Sequence, residues 1–180
     1  MSNMLIKAAV RTLFLCQSRD RALRQSEVLS AQYTQLAERL SKDAGRISVE
    51  VPPMRGVDED MRHWSFFMLL EHNTIVNRSI TATVRQLAQG EALSGPAVID
   101  MKNDVMPSSS ADGWQVELFA QSVEDHIAAV RDLGNLRGTS TSRHPIFGPF
   151  DAHKWNCMFV FHLRIHLPQA RFIVERAAIR

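Results

Sequence analysis

Two cysteines, one tyrosine and no apolar run approaching the ~20 residues of a membrane-spanning helix set the first limits on this chain. Cys16 and Cys157 lie far apart, each in an apolar stretch, so no disulfide framework can form and reduced, buried thiols are expected. Neither sign of charge dominates. With 21 basic and 19 acidic residues the net charge is +2, which leaves no basic stripe for phosphate contacts and argues against nucleic acid as a partner. Glycine and proline number only 8 and 7, which excludes a collagen-like or low-complexity chain. One tyrosine against 9 Phe, 3 Trp and 8 Met favours apolar filling of a helical core over a β-rich surface. At 180 residues, 45% of them hydrophobic, residues 1–180 read as a single globular domain.

The opening stretch holds no acid before Asp20, as transit peptides do, yet Lys7 and Arg11 interrupt any secretory apolar core. It reads as an amphipathic helix of a cytoplasmic protein with no membrane partner. Ser2 or Asn3 can cap that helix, and from there to about Lys42 no Gly or Pro intervenes, so one long helix, or two joined near Ser18, is expected, closed by Gly45. Pro52 and Pro53 forbid helix after it. Asp58 offers the next N-cap, with Glu59 and Asp60 in the first turn, for a second helix reaching about Gln89.

Residues 90–113 hold three Gly, two Pro and the run Ser108 to Ser110, a connection too long for a simple helical hairpin. A third helix is expected from about Trp114 to Leu133. A second breaker region, Gly138 to Pro149, precedes a last helix from about Asp151, with Pro168 inside it as a kink. No strand-period stretch stands out, so the fold class is all-α, a bundle built on four main helical segments.

Seven histidines then draw attention. His162 and His166 are four apart, about 40° from each other on one helix face. Trp155, Phe159, Gln169 and Ile173 share that face, so the pair points into the core. The metalloprotease form of the motif is excluded, because Leu163 stands where its glutamate would be. On the second helix His63 and His72 are about 180° opposed. His72, with Met68, Leu69, Val76, Ser79 and Thr83 around it, is the inward one. His153 lies opposite His162, and His126 and His144 lack a partner spacing, so His63, His126, His144 and His153 read as surface or cap residues. From the spacing alone, a hydrogen-bonded pair of core histidines and a metal site both remain open.

The segment Arg62 to Asn73 (RHWSFFMLLEHN) resembles the second-helix signature of the DinB-like (damage-inducible, YfiT-type) metalloprotein superfamily, in which a tryptophan-containing turn precedes an inward histidine. His144 to Phe150 (HPIFGPF), followed by Trp155 and by His162 to Gln169 (HLRIHLPQ), resembles its closing signature, a glycine loop and then H-x3-H-x-x-Q. Pro168 interrupts that signature beside Gln169, and the N-terminal helix matches it poorly. The resemblance implies a four-helix bundle of up-down-down-up connectivity, with 90–113 as the crossover and a homodimeric assembly. It also implies a divalent metal, zinc or nickel, held by His72, His162 and His166 at one end of the bundle.

Relatives of that kind include metal-dependent transferases that use bacillithiol or mycothiol, and a thiol-dependent isomerase. The function so implied is a metal-dependent S-transferase, with a low-molecular-weight thiol such as bacillithiol, mycothiol or glutathione as cofactor, or a hydrolase, acting on a small-molecule substrate. The alternative is a non-catalytic metal- or ligand-binding bundle serving as a dimeric structural or stress protein. Three imidazoles leave a fourth coordination position, as catalytic zinc sites do, although nitrogen donors also suit nickel and iron. Gln169 lies on the right face to orient an imidazole or a water. Glu71 points about 100° away from His72, and Glu117, Glu124 and Asp125 read as solvated acids. Trp64, Trp114 and Trp155 read as core or interface, and Arg143 with His144 as a weak candidate for an anionic substrate group.

Overall fold

Ser18 divides the N-terminal helical stretch in two. Its extended backbone cannot continue a helix, and its Oγ accepts the Arg21 N–H at 3.2 Å, which supplies a partner for one of the free donors of a new first turn. The computed structural model describes residues 2–90 and 104–179, with side chains from residue 7 onward. Among these residues there are six α-helices: α1 (Ser2–Cys16), α2 (Arg19–Ala37), the short α3 (Lys42–Arg46), α4 (Phe66–Ala88), α5 (Gln115–Asp132) and α6 (Ala152–Ala177). Capping of α1 by Ser2 or Asn3 falls outside the described side chains.

Gly45 does not close a long helix as expected; it lies inside α3. A Cβ there would meet the Phe67 ring at 2.3 Å, so glycine is required for the close approach of α3 to α4. The second long helix also starts later than Asp58 suggested. Asp58 precedes only a 3-10 turn, Glu59–Met61, and makes no side-chain cap. The helix proper begins after Ser65, whose Oγ accepts Met68 N–H at 3.2 Å. The intervening Trp64 and Arg62 carbonyls instead accept Val49 and Val51 N–H, which ties the Pro52 loop to this segment.

The all-helical expectation needs one correction. Ser142–His144 (β1) and Gly148–Phe150 (β2) pair antiparallel, with Arg143 opposite Pro149. Strands of three residues are too short to show a period of two, and the turn between them closes at Gly148 with φ 82°.

The last two long helices lie close to their expected bounds. Asp151 caps α6 through Lys154 N–H at 2.9 Å, and α6 continues through Pro168. Helix α4 packs against α5 and α6, α2 packs against the same two, and α1 lies on α6. Helix α4 ends at Ala88 and α5 begins at Gln115, so the two are not joined as a tight hairpin; residues 91–103 of the expected crossover lie outside the described residues. No helix among the described residues is long and apolar enough to cross a membrane.

Candidate metal centre

Three imidazoles converge between α4 and α6. One ligand-capable atom from each of His72, His162 and His166 lies within 4.8 Å of the other two, and the ring centroids are 4.6 to 5.1 Å apart. His72 and His166 are each 2% exposed, while His162 is partly accessible. The helical phasing explains the pairing: residues four apart on α6 project one above the other, toward the face of α4 that carries His72.

Hydrogen bonds fix which nitrogen of each ring faces inward. His72 Nδ1 lies 2.8 Å from Val105 O; a carbonyl only accepts, so Nδ1 carries the proton and Nε2 a lone pair. Gln169 Nε2 donates to Met61 O at 2.8 Å. That bond turns Gln169 Oε1 toward His166 Nδ1, 2.8 Å away, so His166 donates there and its Nε2 is also a lone pair. Gln169 thus lies within hydrogen-bond reach of the His166 imidazole, and Pro168 does not displace it. Acceptors of this kind behind metal-binding histidines set the tautomer and strengthen the donor.

His72 Nε2 stands 3.2 Å from His162 Nε2. With a lone pair on His72 Nε2, this approach is stable only when a proton or a cation lies between the rings. Two nitrogens bound tetrahedrally at ~2.0–2.1 Å would stand about 3.4 Å apart, so the observed spacing fits a shared divalent ion. His162 Nδ1 is buried without a partner among the described residues.

Electrostatics act in the same direction. Burial lowers the pKa of all three rings, His166 to about 3 and His162 well below its usual value, with repulsion from neighbouring imidazoles adding to the effect at both. The cluster is thus neutral at pH 7, the form that binds a metal. The three histidines can hold a metal ion.

Of the other histidines, only His63 is exposed as expected. His126, His144 and His153 are 0%, 4% and 3% exposed, which overturns their reading as surface or cap residues. His153 does lie opposite His162, but α1 covers that side of α6, and His153 Nε2 donates to Phe14 O at 3.0 Å. His144 Nδ1 accepts the N–H of Ile146 and of Phe147, and its ring packs against Trp155 and Phe150. His126 lies between Thr81 Oγ1 at 2.9 Å and Asn156 Oδ1 at 3.1 Å. Amphipathic phasing finds one buried face and misses these residues, because α5 and α6 are covered on more than one side.

Trp64 and Trp155 are buried, Trp64 with its ring centroid 4.9 Å from that of His72, whereas Trp114 is 57% exposed. Glu71 accepts Ser108 N–H at 2.7 Å. Glu117, Glu124, Asp125 and Arg143 are exposed. Cys157 is buried and its thiol is pushed up to about 12 by that burial, but Cys16 is exposed, against expectation. The residue lies at the end of α1 and not on the face that packs on α6. The backbone acceptors Val105 and Met61 carry no side-chain signal, and sequence reading did not find them. No family model matches the chain, and neither the curated proteins nor the solved structures compared with it give a match.

Proposed function

We propose that this chain is a divalent-metal-dependent enzyme of the DinB-like kind, with His72, His162 and His166 as ligands in a bundle of up-down-down-up connectivity. The observation that supports this most is the set of fixed tautomers: two of the three rings donate Nδ1–H to dedicated acceptors and turn Nε2 lone pairs inward. Zinc or nickel suits three neutral imidazoles. Such an ion, when bound, supplies Lewis acidity and lowers the pKa of a water or thiol at its fourth position.

Three imidazole donors leave a fourth coordination position for water, thiol or substrate, which favours a catalytic site over a sealed, non-catalytic one. The chain's own part is to hold three donors in fixed orientation and, through Trp64 and the buried faces of α4 and α6, to keep bulk water from the other sides. The reaction we favour is transfer of a small thiol to an electrophilic small molecule: the sulfur forms the new S–C bond as the leaving group departs with its electron pair. Hydrolysis by the same centre uses water in place of the thiol. Pairing into a homodimer rests on the family resemblance alone.

Cys157 does not serve as nucleophile in this reading, since its thiol is held protonated. The test is a transfer assay with bacillithiol, mycothiol and glutathione against an alkylating electrophile. Turnover should vanish on chelation, return with zinc or nickel, and survive Cys16→Ala and Cys157→Ala. Metal-independent turnover, or loss with Cys157→Ala in a folded variant, would overturn it.

A further inference from the structure

Metal binding needs His72 of α4 placed to within tenths of an ångström of His162 and His166 of α6. Much of the contact between these helices is apolar, with Leu69, Leu70, Phe159 and Leu163 all at 1% exposure or less. Apolar contact is non-directional and sets no register by itself. Hydrogen bonds do, because they weaken steeply outside a narrow range of distance and angle.

Outside the cluster, one side-chain hydrogen-bonded path from α4 to α6 runs through the ring of His126 of α5. Its Nδ1 engages Thr81 of α4 and its Nε2 engages Asn156 of α6. The ring also stacks on Phe159 of α6, with centroids 3.7 Å apart and planes 6° from parallel. Phe159 precedes His162 by one turn, so the stack fixes the rotation of α6 next to its ligands. Thr81 lies nine residues beyond His72, about 13 Å along α4. His126 and Asn156 are 0% exposed, and burying such groups opposes folding unless their bonds are made. Replacing both partners of a buried hydrogen bond by apolar groups of the same shape can be nearly neutral or stabilising.

We infer that His126 is a positioning residue for the three-histidine centre, pinning the helix that carries His72 in register with the helix that carries His162 and His166. The inference rests on the metal-binding reading above. It assigns a role to a buried histidine that neither touches the metal nor belongs to the sequence signature.

The test replaces the pin by apolar groups of similar shape, Thr81→Val/His126→Phe/Asn156→Leu. Beside it stands Asn77→Leu/Ser122→Ala, which removes a different buried hydrogen bond, between α4 and α5 only (2.9 Å). Three quantities are measured on each full-length protein: the urea midpoint, zinc affinity by competition with a chromophoric chelator, and the visible spectrum of the cobalt(II) form. The triple variant should keep or raise its urea midpoint while binding zinc at least tenfold more weakly, with altered cobalt bands. The Asn77/Ser122 variant should stay within twofold of wild type.

Zinc binding within twofold of wild type in the triple variant would overturn the inference and leave the metal site standing. Equal loss in both variants would also overturn it, since general softening of the core then suffices. Absence of zinc binding in the wild type would remove the metal reading itself. Should the triple variant not fold, His126→Gln, which keeps amide donors and an acceptor but loses the ring stack, should show the same loss in smaller degree, and unchanged affinity there counts against the pin.

Discussion

His72 Nε2 stands 3.2 Å from His162 Nε2 across 90 positions of sequence, and burial disfavours the charged, doubly protonated form of both rings. Neutral imidazoles with lone pairs turned inward are the form that binds a divalent cation. Single replacement of His72, His162 or His166 by Ala should therefore cut zinc occupancy to a small fraction of wild type. His63→Ala, on the exposed side, should leave it unchanged. Equal loss for His63→Ala, read by elemental analysis, would count against the site.

Gln169 links His166 Nδ1 to Met61 O. Gln169→Leu leaves a buried imidazole N–H and a carbonyl without partners, which costs about 1–3 kcal/mol for each group. Loss of such an outer partner typically weakens metal affinity by about 10–100-fold. Zinc competition and urea denaturation should show both effects, and unchanged affinity would mean that Gln169 does not orient the ligand.

His153 should separate stability from metal binding. It donates to Phe14 O and lies 3.6 Å from Cys157 Sγ, so His153→Ala frees a buried carbonyl and opens space beneath α1. The urea midpoint should fall by the equivalent of about 1–3 kcal/mol, while zinc content stays at the wild-type value.

The helical phase of α4 and α6 was legible in the sequence because spacing alone sets it: His72 inward, His162 over His166, Gln169 on the same face. The breaks at Ser18 and Asp151 were legible because capping residues announce themselves. The start of α4 was not. Asp58 has the composition of a cap, but the Pro52 loop holds the Trp64 and Arg62 carbonyls in extended pairing and delays the helix to Ser65. The burial of His126, His144 and His153 was also hidden, since it depends on which elements cover the second side of α5 and α6, a long-range fact that periodicity does not carry. Gly45 was misread for the same reason: its role is defined by the Phe67 ring, not by its neighbours in sequence.

Acid should destabilise the metal-free protein well above the carboxylate range. Burial holds His126 and His144 at about 4, whereas an unfolded histidine titrates near ~6.5. The unfolded chain therefore binds these protons first. The contribution of these two groups is fully present above pH ~6.5, falls by up to about 1.4 kcal/mol per pH unit for each as pH drops, and levels off below about 4, while His166, held at about 3, carries the fall to lower pH. Urea midpoints at several pH values, with chelator present, should show this slope, and His126→Phe should reduce it.

The two thiols should differ in reactivity. Cys16 is exposed, while Cys157 is buried with its thiol pushed up to about 12. A thiol-specific chromogenic reagent should label one cysteine in the native protein and both in denaturant. Rapid native labelling of Cys157 would contradict the packing of α1 on α6.

Titration of zinc into chelator-treated full-length protein, followed by calorimetry and elemental analysis, tests whether three histidines from two helices form one metal site. One zinc per chain, with binding lost in His162→Ala and kept in His63→Ala, is the result expected. No zinc bound at equimolar micromolar concentrations, or binding unaffected by His162→Ala, would contradict it.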